Sequence, residues 1–231
     1  MPDEKEVYEK HAFEYEALLS HEDFQGNILK SVQEIIDLDG LDVLDLGTGT
    51  GRLACLLAPC VRTMLAFDLS PHMLGIAREK LSRLTHVIKS VAVAADHRFL
   101  PLVANSVDLI TSGWSVSYLT VWYPGHWQQA ADAWWVEARR VLRDGGTIIL
   151  FESLGTGCES PQRLAHLENF YNWLDDRGFR NKWIRTDYLF ESPEEAGRIA
   201  GFFFGNDMKA RILKERMTIL PECTGVWWLN K

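Results

Sequence analysis

The stretch Val43-Leu-Asp-Leu-Gly-Thr-Gly-Thr-Gly-Arg-Leu-Ala54 limits what this chain can fold into more than any other. Val43, Leu44 and Leu46 make an apolar run suited to a strand buried on both faces of a sheet. Gly47, Gly49 and Gly51 follow at alternate positions, where the lack of a Cβ lets the backbone turn sharply and lets a ligand approach it closely. Arg52 to Ala58 then reads as a helix that stops before Pro59. Strand, glycine turn and helix in that order predict a ligand at the turn.

The rest of the chain repeats the alternation. A helical arm over residues 3 to 21 and a helix from Phe24 to Asp37, stopped by Gly40, precede strand Asp42 to Leu46. A second strand, Thr63 to Phe67, finishes at Asp68; Ser70-Pro71 starts a helix to Leu84; Val87 to Ala95 is a third strand, ending at Asp96. Ser106 to Gly113 is a fourth strand, and an aromatic-rich segment, Trp114 to Trp127, leads into a helix from Gln128 to Arg143. Asp144-Gly-Gly146 caps that helix before a fifth strand, Thr147 to Phe151.

The last third is more mixed. It predicts a helix over Gln162 to Arg177, a strand over Lys182 to Phe190, helices from Ser192-Pro193 and over 207 to 217, and a final strand from Thr218 to Leu229. Strands alternating with helices define an α/β, doubly wound, Rossmann-like architecture: a mostly parallel sheet of seven strands, the last antiparallel, with a ligand crevice at the carboxyl ends of the strands. We expect one domain over 1-231, with an N-terminal helical arm (1-38), a core (39-155) and a C-terminal part (156-231) carrying a helical insertion at 192-217.

Composition narrows the partners. With a formal net charge of −8, the chain is ill suited to gain affinity by neutralising nucleic-acid phosphates, so no nucleic-acid partner is expected. The run Arg177, Arg180, Lys182 and Arg185 is flanked by Asp175, Asp176 and Asp187, and reads as a solvated face. No apolar run is long enough for a membrane helix, and the acidic start Met1-Pro-Asp-Glu-Lys-Glu is unlike a signal peptide, so a cytoplasmic protein is expected. Cys55, Cys60, Cys158 and Cys223 lack metal-ligand or paired spacing.

Two nucleotide motifs fail at the glycine turn. Counted from Gly47, the third glycine of a dinucleotide fingerprint falls on Arg52, and no Lys-Ser or Lys-Thr follows to make a Walker loop. What stands there is Asp-x-Gly-x-Gly-x-Gly, Asp45 to Gly51, with an acid ending strand two (Phe67-Asp-Leu-Ser-Pro71), an acid after strand three (Ala95-Asp96), the Asp108 strand, and Leu142-Arg-Asp-Gly-Gly-Thr147 before strand five. In order and spacing these elements make the chain, over residues 40 to 155, resemble the class I S-adenosylmethionine-dependent methyltransferases, among them enzymes acting on small molecules.

The resemblance implies S-adenosyl-L-methionine as cofactor, lying along Asp45, Gly47, Thr48, Gly49 and Gly51. It implies that Asp68 accepts both ribose hydroxyls, a role suited to a carboxylate's two acceptor oxygens. By the same resemblance Asp96 accepts from the adenine amino group with His97 or Met73 beside the ring, Leu69 and Ala95 flank the two acids, and Gly113 and Trp114 lie where sulfonium and acceptor meet. The ring of Trp114 is then available to a cation.

Methyl transfer by in-line displacement is governed by positioning, and a base is needed only where the acceptor loses a proton. Base candidates by location are His126, Tyr118 and Tyr123, with no choice among them. Tyr8, His11 and Tyr15 read either as packing of the arm or as a lid, and Trp122 as a pocket residue. The expected partner is a small-molecule acceptor, without nucleic acid or membrane, for a monomer or homodimer. Two other readings keep the cofactor turn: transfer of another alkyl group, as in aminopropyl transferases, and a binding protein that catalyses nothing.

Overall fold

The computed structural model describes residues 11–84 and 89–231. In chain order it contains α1 (Ala12–Leu19), α2 (Asn27–Gln33), β1 (Asp42–Leu46), α3 (Arg52–Leu57), β2 (Thr63–Asp68), α4 (Pro71–Ser82), β3 (Ser90–Ala94) and β4 (Val107–Gly113). There follow α5 (Tyr118–Trp122), α6 (Trp127–Val141), β5 (Leu142–Thr156), α7 (Glu168–Asp176), β6 (Arg180–Arg185), β7 (Tyr188–Leu189), α8 (Pro193–Glu215), β8 (Ile219–Leu220) and β9 (Glu222–Asn230).

Seven strands form one sheet in the order β3-β2-β1-β4-β5-β9-β6. Strands β1 to β5 pair in parallel, and β9 runs antiparallel to both β5 and β6. The apolar run of β1 explains its central place: Val43, Leu44 and Leu46 are wholly buried. On one face Ile28, Val32, Leu53 and Leu57 pack from α2 and α3; on the other Trp134, Val141, Phe170 and Leu174 pack from α6 and α7. Trp127 and Trp134 both serve that second core, as their place on the apolar helix face predicts. Strand order reverses between β1 and β4, which opens a crevice at their carboxyl ends, where the glycine turn emerges.

Local chemistry sets the helix starts near the crevice. Ser70 caps α4 by accepting the Met73 N–H at 3.3 Å, with Pro71 in the first turn. Gly51, at φ 84°, precedes α3 in a conformation that suits glycine.

Several expected boundaries move. The segment expected as one strand, Lys182 to Phe190, divides between β6 in the main sheet and β7, which pairs with β8. The break falls at Thr186 and Asp187, both buried; the Asp187 carboxylate accepts from Arg185 and from the Glu222 N–H. The last strand is divided at Pro221, which has no N–H for a ladder. Strand five is longer than expected, because Asp144-Gly-Gly146 lies inside the extended segment with Gly145 at φ 80°. The two late helices are one, α8, kinked at Gly205 (φ 88°, ψ 176°). The helix expected from Gln162 begins at Glu168. Of the arm, α1 is described, while Tyr8 lies outside the described residues. Among the described residues, no helix is long and apolar enough to cross a membrane.

Each cation of the 177–185 run meets a partner: Arg177 Asp132, Arg180 the Asn230 amide oxygen, Lys182 Glu34, and Arg185 both Glu159 and Asp187.

Candidate active site

The crevice is built around Asp45, the last acid of β1, which is 1 % exposed. Its Oδ2 accepts the Thr48 hydroxyl at 2.6 Å and its Oδ1 the Thr111 hydroxyl at 2.8 Å, so one carboxyl joins β1, the glycine turn and β4. Burial raises its pKa to about 6, against these two hydrogen bonds, which favour the charged form. The turn is fixed again from β2: the Phe67 carbonyl accepts the N–H groups of Gly47 (2.8 Å) and Thr48 (2.9 Å).

Asp68, at the end of β2, binds both sides of the crevice entrance. Its Oδ2 accepts the Gly49 N–H at 2.8 Å and its Oδ1 the Ser70 N–H at 2.8 Å. A carboxylate offers about four acceptor sites. Among the described residues backbone N–H groups use two, one on each oxygen, which leaves one on each for a ligand.

A cavity of about 90 Å³ lies over these groups. Its floor is Asp45, Gly47, Thr48, Gly49 and Asp68, with Leu69, Ser70 and His97 at one end. Gly113, Trp114 and Ser115 from the end of β4, Tyr118 and Trp122 from α5, Arg52 and Leu53 from α3, and Tyr15 and Leu19 from α1 complete it. Trp114 is a non-glycine residue at φ 48°, a strained conformation of the kind that gathers at functional sites.

Most of the expected cofactor residues therefore lie together, and four do not line the cavity. Gly51 is turned to Ala77, 3.1 Å from where its Cβ would stand. Met73 is fully buried in the fold, and Ala95 packs on the core beside its N–H bond to the Asp68 carbonyl. Asp96 is taken by Arg98, whose Nε and Nη2 reach its carboxylate at 3.0 and 2.6 Å, and whose backbone N–H adds a third bond. His97 does line the cavity, and its Nδ1 is buried without a partner among the described residues. Burial holds this imidazole below its ordinary pKa, against the pull of Asp96 and Asp68, so it stays neutral.

The base candidates separate as well. Tyr118 lines the cavity, stacked on Trp122 with ring centres 5.3 Å apart. Tyr123 lies under the Arg98 guanidinium at 4.5 Å, and exposed His126 packs its edge on Tyr123 outside the cavity. In the arm, Tyr15 faces the glycine turn, 3.9 Å from where a Gly49 Cβ would stand, and packs on Phe203. His11 is edge-on to Phe202, away from the cavity.

Residues that sequence reasoning missed are Arg52 and Glu152. Arg52 spans the cavity wall, with Nη1 2.8 Å from the buried Glu22 carboxylate and its guanidinium 4.1 Å above the Trp114 ring. Phe151 stacks with the same indole at 6.1 Å, so the ring expected to meet a cofactor cation already carries a protein cation. Glu152 follows Phe151 in β5 and is 3 % exposed. The sole signal for it was an acid directly after a continuous apolar run.

The comparisons with known proteins agree with this fold. Residues 44–150 match a protein-family model described as a methyltransferase domain. A malonyl-[acyl-carrier protein] O-methyltransferase of Hahella chejuensis is 31% identical over 159 residues, covering 68% of this chain and 50% of that protein. The chain spans about half the length of the curated relatives it matches first. Among solved structures, a SAM-dependent methyltransferase from Aquifex aeolicus superposes with a TM-score of 0.55 at 18% identity, covering 98% of this chain and 93% of that one. Phosphoethanolamine N-methyltransferase 1 of Haemonchus contortus, solved with S-adenosylhomocysteine, gives 0.54 at 17% identity, over 98% of this chain and 48% of that one. Fold, glycine turn and family match together define a class of enzyme that uses S-adenosylmethionine. Residues 44–150 form a methyltransferase domain, on the fold of the S-adenosylmethionine-dependent methyltransferases.

Proposed function

We propose that this chain transfers the methyl group of S-adenosylmethionine to a small-molecule acceptor. The observation that carries the reading is Asp68: its carboxylate ties Gly49 to Ser70 and keeps an acceptor site on each oxygen at the mouth of the cavity. A vicinal diol is the natural partner of two such sites. The buried, unpartnered Nδ1 of His97 at the same end of the cavity gives a second polar position for the nucleoside. These groups fit an adenosyl ligand, held by Asp68, Leu69 and His97, with Gly47, Thr48 and Gly49 beneath it.

When bound, S-adenosylmethionine supplies an electrophilic methyl on a sulfonium. The chain's contribution is then to bind and orient. Asp45 stiffens the turn through Thr48 and Thr111, and the walls from β4 and α5 exclude water from the reacting end. Holding reactants in near-attack geometry supplies on the order of 7 to 11 kcal/mol in favourable cases, more than any single proton transfer. The same proposal takes the enzyme as cytoplasmic. Malonyl-[acyl-carrier protein] is the acceptor named for relatives; for this chain a carrier-bound carboxylate is the second reading, favoured by their sequence similarity.

The test is calorimetric titration with S-adenosylmethionine, S-adenosylhomocysteine and NAD. Binding of the first two without the third is expected; NAD binding alone would sink the reading.

A further inference from the structure

A second cavity, of about 120 Å³, lies beside the first and shares Trp114 and Tyr118 with it as a common wall. Strand pairing explains the adjacency. Gly113 pairs with Phe151, and the Trp114 N–H donates to the Phe151 carbonyl at 2.8 Å, so the next residue of β5, Glu152, stands beside the end of β4. Leu164 and Leu167 close the far side. From the content of these walls we infer that this cavity is the acceptor site and that Glu152 is the base that removes a proton from a hydroxyl or amine acceptor. The inference rests on the cofactor site proposed above.

Three observations support it. Glu152 is buried, and among the described residues its carboxylate accepts hydrogen bonds from the Ser117 hydroxyl (2.9 Å) and the Ser117 N–H (3.3 Å). Among the described residues no Lys, Arg or Asp lines the cavity; the titratable groups around it are Tyr118 of α5, exposed His166 ahead of α7, Tyr171 of α7, whose hydroxyl donates to the Ser153 carbonyl, Arg163 over the Tyr171 ring, and Glu222, which accepts the Ser153 hydroxyl. Burial with no offsetting cation pushes the Glu152 carboxyl up to about 8, in the range where a general base works best near neutral pH.

The same walls disfavour an anionic acceptor and weigh against the carrier-bound carboxylate. A carboxylate there would find no Lys or Arg in the lining to compensate its charge, and an unpaired charge taken out of water is costly. A neutral hydroxyl or an amine suits the site, and the volume sets one ring as the upper size, since a somewhat larger cavity of roughly 150 Å³ takes a single benzene. The chemistry balances: as the acceptor oxygen or nitrogen gains the methyl, its O–H or N–H bond breaks, the proton passes to Glu152, and the former sulfonium leaves as a neutral thioether.

The test uses the full chain with phenol, benzylamine and benzoate as probes. Methyl transfer from S-adenosylmethionine to each probe is followed by mass spectrometry, and S-adenosylhomocysteine affinity by calorimetry. Phenol or benzylamine should be methylated and benzoate not. Glu152→Gln should lower that transfer by about 10²- to 10⁴-fold, with S-adenosylhomocysteine affinity unchanged within twofold. Glu152→Asp should restore part of the rate. The rise in kcat/KM of wild type toward pH 8 should vanish in Glu152→Gln, leaving for phenol only a rise toward its own ionisation near roughly 10. Methylation of benzoate, equal rates for wild type and Glu152→Gln at every pH, or no transfer to any of the three probes overturns the inference. Failure to bind S-adenosylhomocysteine would instead overturn the cofactor reading.

Discussion

The guanidinium of Arg52 lies 4.1 Å from the centre of the Trp114 ring while the same side chain pairs with Glu22 at 2.8 Å. One residue thus ties the helix after the glycine turn to the end of β4 and to the loop after α1. Glu22 is 2 % exposed and Arg52 15 %, so neither charge is relieved by water if the other is removed. Burial holds the Glu22 carboxyl above its ordinary pKa even with Arg52 beside it.

Arg52→Met should therefore destabilise the fold strongly. Breaking a buried pair by deleting one partner typically costs about 3 to 5 kcal/mol, with protonation of Glu22 limiting the loss here to the lower end. Urea denaturation of Arg52→Met, Glu22→Gln and the double variant should give a double-variant loss clearly smaller than the sum of the singles. Strict additivity would mean that the two side chains do not support each other.

The glycine turn can be tested in the same way. Gly47 has φ 68°, and a Cβ on it would overlap the Ser115 Oγ and Cβ. Gly47→Ala should lose stability both by that clash and by about 1 to 2 kcal/mol of left-handed strain. Adding Ser115→Gly removes the clash and leaves the strain, so the double variant should recover part of the stability lost by Gly47→Ala. No recovery would place the clash elsewhere.

Asp68→Asn keeps the shape of the side chain and removes its charge and one of its acceptor oxygens. Gly49 and Ser70 then compete for the remaining oxygen, and the diol sites are lost with it. S-adenosylhomocysteine affinity should fall by about 1.5 to 3 kcal/mol for each charged hydrogen bond removed. Calorimetry decides it, and unchanged affinity would remove Asp68 from the site.

What the sequence made legible was the part governed by neighbours in the chain. The β1 run, the glycines and Asp68 are consecutive or one crossover apart, and the fold brings Asp45, Gly47, Thr48, Gly49 and Asp68 to one cavity. Partners chosen across the fold left no such trace. Nothing near Asp96 announces that Arg98, two residues on, turns back to take its carboxylate, although the pair is close in sequence. Arg52 and Glu22 are thirty positions apart, and the fold joins them where the Glu22 backbone bridges to Tyr188 of β7. Glu152 is hidden differently: burial, not spacing, makes an acid within the strand unusual, and burial is a property of the finished sheet. The divided late strands follow from Pro221 and the inward turn of Asp187, which a reading by hydrophobic pattern treats as minor interruptions.

The same buried acids set the pH dependence of stability. Glu152 holds its proton to about 8, Glu222 to about 7 and Asp45 to about 6, each raised chiefly by burial. In the unfolded chain they ionise near the ordinary carboxylate values of roughly 4. Between those limits the folded state binds more protons than the unfolded one, so stability must fall as pH rises, and the fall from Glu152 continues to about pH 8. At about 1.4 kcal/mol for each pKa unit, Glu152 alone accounts for at most about 4 to 5 kcal/mol of that loss. Glu152→Gln carries a neutral group of similar shape at every pH. Denaturation at pH 5 and pH 8.5 should show wild type losing more stability across the interval than the variant, with the variant gaining on it at the higher pH. Equal losses in the two proteins would mean that Glu152 is already ionised at pH 5 in the folded state, and would place water or a cation against its carboxylate.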